Sequence, residues 1–164
     1  MTIPIEQDGV SVRRASPDDK EQWLPLWAGY NAFYGREGAT ALPDEVTADR
    51  WTAFLSPEVP MWALVAERGG RLLGLAHYLF HLSTTSLSPS CYMQDLFTAP
   101  EARGMGVGEA LIEAVADRAR AAGSVSIYWQ THHTNATARR LYDRVAAQSE
   151  FLIYRMSLPQ GSTA

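Results

Sequence analysis

The sequence contains one lysine, Lys20, and one cysteine, Cys91, among its 164 residues. Nucleic-acid binding through phosphates needs clustered basic side chains, so a chain with one lysine and a net charge of −4 is not expected to bind nucleic acid. One cysteine cannot build an internal disulfide framework, which favours a reducing compartment, and we expect a cytoplasmic protein. No apolar run approaches the roughly 20 residues that span a bilayer, and residues 1–9 lack the basic and apolar blocks of a signal peptide, so no membrane partner is expected.

What the sequence does contain is ordinary material for one globular domain. The chain is 46% hydrophobic and 20% charged, and its length suits one substantial core, with residues 1–9 and 159–164 expected to be loose. Periodicity and turn residues predict the order β-α-α-β-β-β-α-β-α-β, an α/β fold whose mixed sheet carries helices on both faces. The predicted strands are residues 10–14, 61–67, 71–81, 92–98, 124–130 and 151–158; the predicted helices open at Ser16-Pro17, cover residues 48–55 and 109–121, and follow Asn135.

A glycine-rich turn, Arg103-Gly104-Met105-Gly106-Val107-Gly108, joins the strand at residues 92–98 to the helix at residues 109–121. The free N–H groups and positive dipole at a helix start bind a pyrophosphate, and glycines let the backbone approach it closely. Arg103 can add a charge-assisted contact to a phosphate. The glycine spacing is not that of a dinucleotide fingerprint, and no Gly-Lys-Ser/Thr of a P-loop follows. Taken alone, the pattern also fits a merely flexible turn.

The first helix carries an aromatic face. Its members recur at intervals of three and four: Trp23, Leu26, Trp27, Tyr30, Phe33 and Tyr34. One interpretation is core packing against the sheet; the other is that its C-terminal end, Tyr30, Phe33 and Tyr34, lines a substrate-binding pocket. His77 and His81 stand four apart on one strand without a Cys or carboxylate at ligand spacing, so no metal site is predicted.

Two motifs together resemble the GNAT superfamily of acetyl-CoA-dependent N-acetyltransferases. Residues 94–108 are similar to its fourth strand and acetyl-CoA signature, and Asn135, Ala138, Leu141 and Tyr142 are similar to the helix that follows later in that family. Asp95-Leu96-Phe97 and Tyr128-Trp129 look most like the small polyamine- and histone-type branch. The resemblance covers residues 92–158. It implies the acyl-CoA N-acyltransferase fold, acetyl-CoA as acyl donor, and a primary amine of a small molecule, peptide or protein as acceptor.

The resemblance also implies roles for individual residues. The backbone of Leu96, Phe97 and Thr98 would pair with the pantetheine arm and polarise the thioester carbonyl, and residues 103–108 would hold the pyrophosphate. Asn135 would hydrogen-bond the cofactor near its pantetheine or thioester end. Tyr142 would be the general acid for the departing thiolate. A tyrosine, with a reference pKa of about 10, is protonated at neutral pH and can donate within hydrogen-bond reach.

The general base has several candidates. The polyamine-type branch commonly carries Glu-Asp where this chain has Gln94-Asp95, and a glutamine cannot deprotonate an amine. We assign Asp95 as catalytic, with His77, His132, His133 and a water chain to solvent as the other routes for the proton. His132 and His133 fit solvated loop residues equally well.

Alternatives to this enzyme remain open at the level of sequence. The absence of a Glu at Gln94 favours a non-catalytic acyl-CoA-binding sensor module, and a nucleotide-binding domain of another kind is a weaker candidate. Cys91 has no activating base nearby in sequence, so direct attack of the amine in a ternary complex is predicted over a covalent acyl-cysteine. The exposed edge of the strand predicted at residues 151–158 suggests a homodimer.

Overall fold

The structure, a computed structural model, describes residues 5–7 and 9–158, with side chains from Gly9 onward. The chain divides into two compact units, of which the first ends at Gln130 and the second begins at Thr131. None of the helices in this described part has the length and apolar character needed to cross a bilayer.

Six strands form one sheet in the first unit, and they follow one another across it in chain order. They are β1 (Ile5–Gln7), β2 (Val10–Arg14), β3 (Met61–Arg68), β4 (Arg71–His81), β5 (Ser90–Thr98) and β6 (Ile127–Tyr128). Neighbours are antiparallel except β5 and β6, which run parallel. Gly69 and Gly70 both take positive φ, 58° and 81°, as a tight hairpin between β3 and β4 requires. The predicted mixed α/β sheet is confirmed.

Helices cover both faces of this sheet, as the sequence predicted. In the described residues the first unit holds α1 (Lys20–Phe33), α2 (Asp44–Leu55) and α3 (Val107–Ala121), and the second holds α4 (Ala136–Val145). Trp23 of α1 and Phe54 of α2 pack around His77 of β4. On the other face, a Cβ added to Gly74 of β4 would lie 2.9 Å from Val107 of α3. Gly74 and His77 are three residues apart, an odd number, so they point to opposite faces.

The core lies on both faces. Its largest fully buried side chains include Trp23, Leu64, Leu75, Met93 and Leu111. Most of the aromatic face of α1 packs in the core, since four of its residues are buried: Trp23, Leu26, Trp27 and Tyr30. Phe33 and Tyr34, at its C-terminal end, are exposed.

A partly buried ion pair stabilises the start of the first helical segment. A 3-10 turn, Pro17–Asp19, precedes α1, and the Asp19 carboxylate accepts from the backbone N–H of Ser16 (2.7 Å) and from its hydroxyl (3.0 Å). Arg13 of β2 donates to both oxygens of Asp19, at 2.7 and 2.8 Å, and also to Glu67 of β3. The hydrogen bonds from Arg13 outweigh burial and hold the pKa of Asp19 below its ordinary value of 3.8.

Strand β5 and helix α3 each start two residues earlier than predicted, and two other element starts differ more from the sequence-based expectation. Ile5–Gln7 is a strand rather than part of a loose lead-in, because it pairs with β2 across a turn in which Gly9 takes φ 75°. Residues 1–4, 8 and 159–164, also expected to be loose or in that lead-in, lie outside the described residues. Helix α2 begins at Asp44, not residue 48, because Pro43 precedes it and the two acids in its first turn suit the positive helix end.

The last two predicted strands are corrected more strongly. The strand expected at residues 124–130 is only Ile127–Tyr128, because Ser124 instead donates its hydroxyl to the carbonyl of Pro89 at 2.7 Å and Val125 points to solvent. Residues 151–158 form no strand. Their apolar side chains are exposed, and the described residues of their unit contain no strand with which they could pair.

Candidate active site

One edge of β5 is left without a neighbour over its second half. β4 pairs with β5 from Ser90 to Thr98 on one side, whereas on the other side β6 pairs only with Cys91 and Tyr92. Beyond Tyr92 no described strand lies beside this edge. An extended ligand could therefore add to the backbone of Leu96–Thr98 as a further strand would.

A β-bulge decides which side chain of β5 faces α1 and α2. Tyr78 pairs with Met93 but His77 pairs with Asp95, so Gln94 is an extra residue in β5. Residues directly opposite each other in a ladder share a face, which places Asp95 beside His77, on the side of α1 and α2. Gln94 is exposed. In an unbroken ladder Gln94 would have stood opposite His77 instead.

Asp95 and His77 form a buried hydrogen-bonded pair. Asp95 is 8% exposed and His77 is 2% exposed, and the His77 Nδ1 lies 2.8 Å from the Asp95 Oδ2. The indole N–H of Trp23 donates to the His77 Nε2 at 3.2 Å. An indole N–H can only donate, so Nε2 must accept, and we assign the single ring proton to Nδ1, which donates it to Asp95. His77 is thus a neutral donor that orients an anionic Asp95.

Tyr30 reaches the same carboxylate from α1. Burial first, then the charge of Asp95, raise the pKa of Tyr30. Burial and Asp95 likewise raise the pKa of Tyr34, whose ring centroid lies 5.1 Å from that of Tyr30. Both phenols are therefore protonated donors at neutral pH. The anion at Asp95 stands against an aromatic wall, an environment that suits an organic cation.

The glycine turn has the backbone that a phosphate site needs. Gly104 and Gly106 take positive φ, 80° and 76°, in the left-handed region where a side chain is strained. Gly106 is the N-cap of α3, and no described side chain caps it by a hydrogen bond. The first bond back to the cap comes from Ala110, at 3.0 Å, so the N–H groups of Val107 and Gly108 precede the helical ladder.

A groove of about 600 Å³ lies between α1, β5 and this turn. Phe33, Phe97, Pro100 and Arg103 are among its lining residues. Of the three predicted substrate residues, Phe33 lines this groove. The other two, Tyr30 and Tyr34, are close enough to Asp95 for its charge to raise their pKa values. Arg103, predicted from the sequence to meet a phosphate, opens onto this groove.

The second unit carries the other two predicted site residues. Asn135 caps α4, accepting from the backbone N–H of Ala138 at 3.2 Å, and its amide donates to Thr131 at 3.3 Å. Tyr142 lies in α4, half-buried. His132 and His133 are exposed, as solvated loop residues are, and the His132 Nδ1 lies 2.7 Å from the Thr134 hydroxyl.

Cys91 is not placed for covalent chemistry. Its side chain is fully buried, and burial raises its pKa to about 11. The thiol is therefore protonated at neutral pH and is not a nucleophile.

Residues 23–146 match the Acetyltransferase (GNAT) family. The chain belongs to this family. It is 36% identical over 150 residues to the D-amino-acid N-acetyltransferase HPA3 of Saccharomyces cerevisiae, covering 90% of this chain and 91% of the relative. It is 28% identical over 155 residues to the uncharacterized N-acetyltransferase YhfO of Bacillus subtilis, covering 92% and 99%. The protein is therefore an acetyl-CoA-dependent N-acetyltransferase that acts on amines, and a non-catalytic sensor is not favoured.

Solved structures of GNAT-like folds superpose over almost the whole chain. An aminoglycoside acetyltransferase from an uncultured soil metagenomic sample, in complex with sisomicin, gives a TM-score of 0.77 at 16% identity, covering 93% of this chain and 98% of that one. A ribosomal-protein-alanine N-acetyltransferase from Brucella melitensis biovar Abortus 2308 gives 0.72 at 21% identity, covering 91% and 99%. At these identities the likeness establishes a common fold.

Acetyl-CoA, the acyl donor of this GNAT enzyme, fits two features of the first unit. The unpaired edge of β5 can take an extended arm, and the uncapped, glycine-bearing start of α3 can take a pyrophosphate. The sequence predicted the glycine turn, and the family resemblance implied the role of the β5 edge. The links from Trp23 through His77 to Asp95 were not predicted, because only the strand register places these residues together, and Arg36, in the loop after α1, carries no signal in the sequence that singles it out.

Proposed function

We propose that the protein acetylates the α-amino group of a free amino acid, with D-amino acids as the first class to test. The observation that carries this proposal is the buried, hydrogen-bonded carboxylate of Asp95 beside the unpaired edge of β5, an anion placed where an ammonium group would meet the acyl donor. The 36% identity to a D-amino-acid N-acetyltransferase supports this choice of acceptor.

In this proposal acetyl-CoA supplies the activated acetyl group, and the chain binds and orients it. The backbone of Leu96, Phe97 and Thr98 pairs with its extended arm. Residues 103–108 and the start of α3 bind the pyrophosphate through backbone N–H groups, with Arg103 adding a charge. Asn135 hydrogen-bonds the arm. Holding both substrates in one ternary complex lets proximity supply much of the acceleration.

Two residues move protons. Asp95 takes the proton that the acceptor ammonium must lose before its nitrogen can attack, since an amine with a pKa near 10 is charged at neutral pH. His77 holds Asp95 in one orientation by donating to it. Tyr142, a protonated phenol, donates to the departing thiolate.

The same proposal includes the organisation of the chain. We infer a single N-acetyltransferase domain, because the family match runs without a break from residue 23 to residue 146. The exposed apolar side chains of residues 151–158 suit pairing with a second copy, so we propose a homodimer. A free thiol at Cys91 suits a cytoplasmic protein.

An acceptor panel tests the proposal. Release of free CoA thiol is followed with acetyl-CoA and D- or L-alanine, D- or L-phenylalanine, a polyamine, or a lysine peptide. We expect the highest kcat/KM with an amino acid. The peptide arm is included because the peptidyl-lysine N-acetyltransferase YjaB of Escherichia coli is 31% identical over 112 residues, 63% of this chain and 62% of that protein. Faster turnover of polyamine or peptide than of every amino acid would overturn the proposed acceptor class.

A further inference from the structure

Arg36 is held in a fixed place beside the tyrosines that meet Asp95. Its guanidinium carbon lies 5.8 Å from the ring centroid of Tyr30 and 5.4 Å from that of Tyr34. Its Nε donates to the Asn31 Oδ1 at 2.7 Å. Asn31 is itself buried, 4% exposed, and its amide donates to the carbonyl of Trp27 at 2.8 Å. Two ring faces and a fixed amide thus preorganise the guanidinium.

The outer part of this guanidinium has no described partner. Nε is the one atom of Arg36 with a hydrogen bond to another described side chain, and no described carboxylate pairs with the residue. Arg36 is partly exposed, so its two terminal nitrogens can meet a ligand. A planar guanidinium with two free N–H edges has the geometry that a carboxylate accepts bidentately.

The positive charge of Arg36 and the negative charge of Asp95 act on the same pair of phenols. Burial and the charge of Asp95 raise the pKa of the Tyr30 hydroxyl, while Arg36 lies over the Tyr30 ring. Asp95 raises the pKa of Tyr34 and Arg36 opposes that rise. The two tyrosines therefore stand near both a cation and an anion.

We propose that Arg36 is the specificity residue that binds the α-carboxylate of the acceptor while Asp95 meets its α-amino group. This inference rests on the proposed function, since it names how that same site selects an amino acid. The two charged groups of a zwitterionic amino acid are separated by one carbon, and Tyr30 is near both of the charges that would bind them. A simple amine or an amino-acid amide offers nothing to Arg36 except weaker neutral contacts.

The test compares acids with their amides in wild type and variants. The probes are D-alanine, D-phenylalanine and D-lysine, each paired with its amide. In Arg36→Gln we expect kcat/KM for the best acid to fall about 10- to 100-fold, mostly through KM, which is the range for losing a charge-assisted bidentate contact. The amide should change less than about threefold. The loss in kcat/KM for Arg36→Lys should lie between those two values, because a lysine keeps the positive charge but cannot bind a carboxylate bidentately.

The control is Arg120→Gln, which removes an exposed arginine of α3 that pairs with Asp117. It should leave the acid-to-amide ratio unchanged. An equal loss for acid and amide in Arg36→Gln, or no loss for either, overturns the role of Arg36 while leaving amino-acid acetylation intact. Wild-type enzyme that turns over amides and amines but none of the acids overturns the proposed acceptor class, and the role of Arg36 with it.

Discussion

Replacing His77 by phenylalanine removes both hydrogen bonds of the ring while keeping its approximate shape. His77 stacks on Phe54, with ring centroids 4.1 Å apart, and a phenyl ring can keep that packing. The stability cost then comes from polar groups. The Asp95 carboxylate loses a donor at 2.8 Å, and the indole N–H of Trp23 loses an acceptor at 3.2 Å.

The magnitude follows from burial. A buried group left without its partner costs about 1–3 kcal/mol, and more when it is charged. Two such groups, one of them an anion that is 8% exposed, give about 3–5 kcal/mol for His77→Phe. That is a large part of the 5–15 kcal/mol that stabilises a typical domain.

Urea unfolding measures this cost, and two further variants interpret it. His81→Phe is the matched control, since His81 is an exposed histidine of the same strand, bonded to the Tyr128 hydroxyl at 2.8 Å. We expect it to cost less than about 0.5 kcal/mol. In the double variant His77→Phe with Asp95→Leu, removing both partners should recover at least about 1 kcal/mol relative to the sum of the single variants. Additive single costs, or a loss under about 1 kcal/mol for His77→Phe, would refute the buried pair.

Three other substitutions test separate parts of the argument. Asp95→Asn should lower kcat by about 10²-fold or more if Asp95 takes the acceptor's proton, whereas the neighbouring, exposed Gln94→Ala should leave kcat nearly unchanged. Tyr142→Phe should lower kcat to a similar extent and leave the calorimetric affinity for acetyl-CoA unchanged; unaltered turnover would exclude Tyr142 as the acid. Asp19→Asn should cost about 1–3 kcal/mol at pH 7, because it weakens the hydrogen bonds from Arg13. Since the folded pKa of Asp19 is lowered, its stabilisation is present above pH 3.8 and lost as pH falls further, so wild type and variant should converge in acid unfolding.

Local signals in the sequence were enough for most of the fold and for the glycine-rich turn before α3. A glycine turn between a strand and an amphipathic helix is recognised from consecutive residues alone. In the structure Gly104 and Gly106 have the positive φ that such a turn needs. The same holds for the Gly69-Gly70 hairpin. These features depend on neighbours within a few residues, so pattern reading finds them.

Features that depend on distant partners were not predicted. β1 exists because Ile5–Gln7 meets β2, and residues 151–158 have strand-like alternation but no described strand in their unit to pair with. Burial of Asp19 likewise depends on Arg13 and Glu67, which come from two different strands. Whether these segments form strands or ion pairs depends on contacts with residues far away in the sequence, which local preference does not determine.

The bulge in β5 is another feature that depends on a distant partner, and it determines which side chain lies beside His77. In a regular strand the side chains of residues 93–98 would point to the two faces of the sheet in turn. Gln94 would then lie opposite His77. The extra residue shifts the register by one, which turns Gln94 to solvent and brings Asp95 against His77. A carboxylate at 94 is therefore not needed for an acid–base role on this face, because the bulge supplies Asp95 there. The same irregularity lies just after Tyr92, where β6 stops pairing with β5, so one local feature accompanies both the open edge proposed for the acyl donor and the buried carboxylate proposed for the amine.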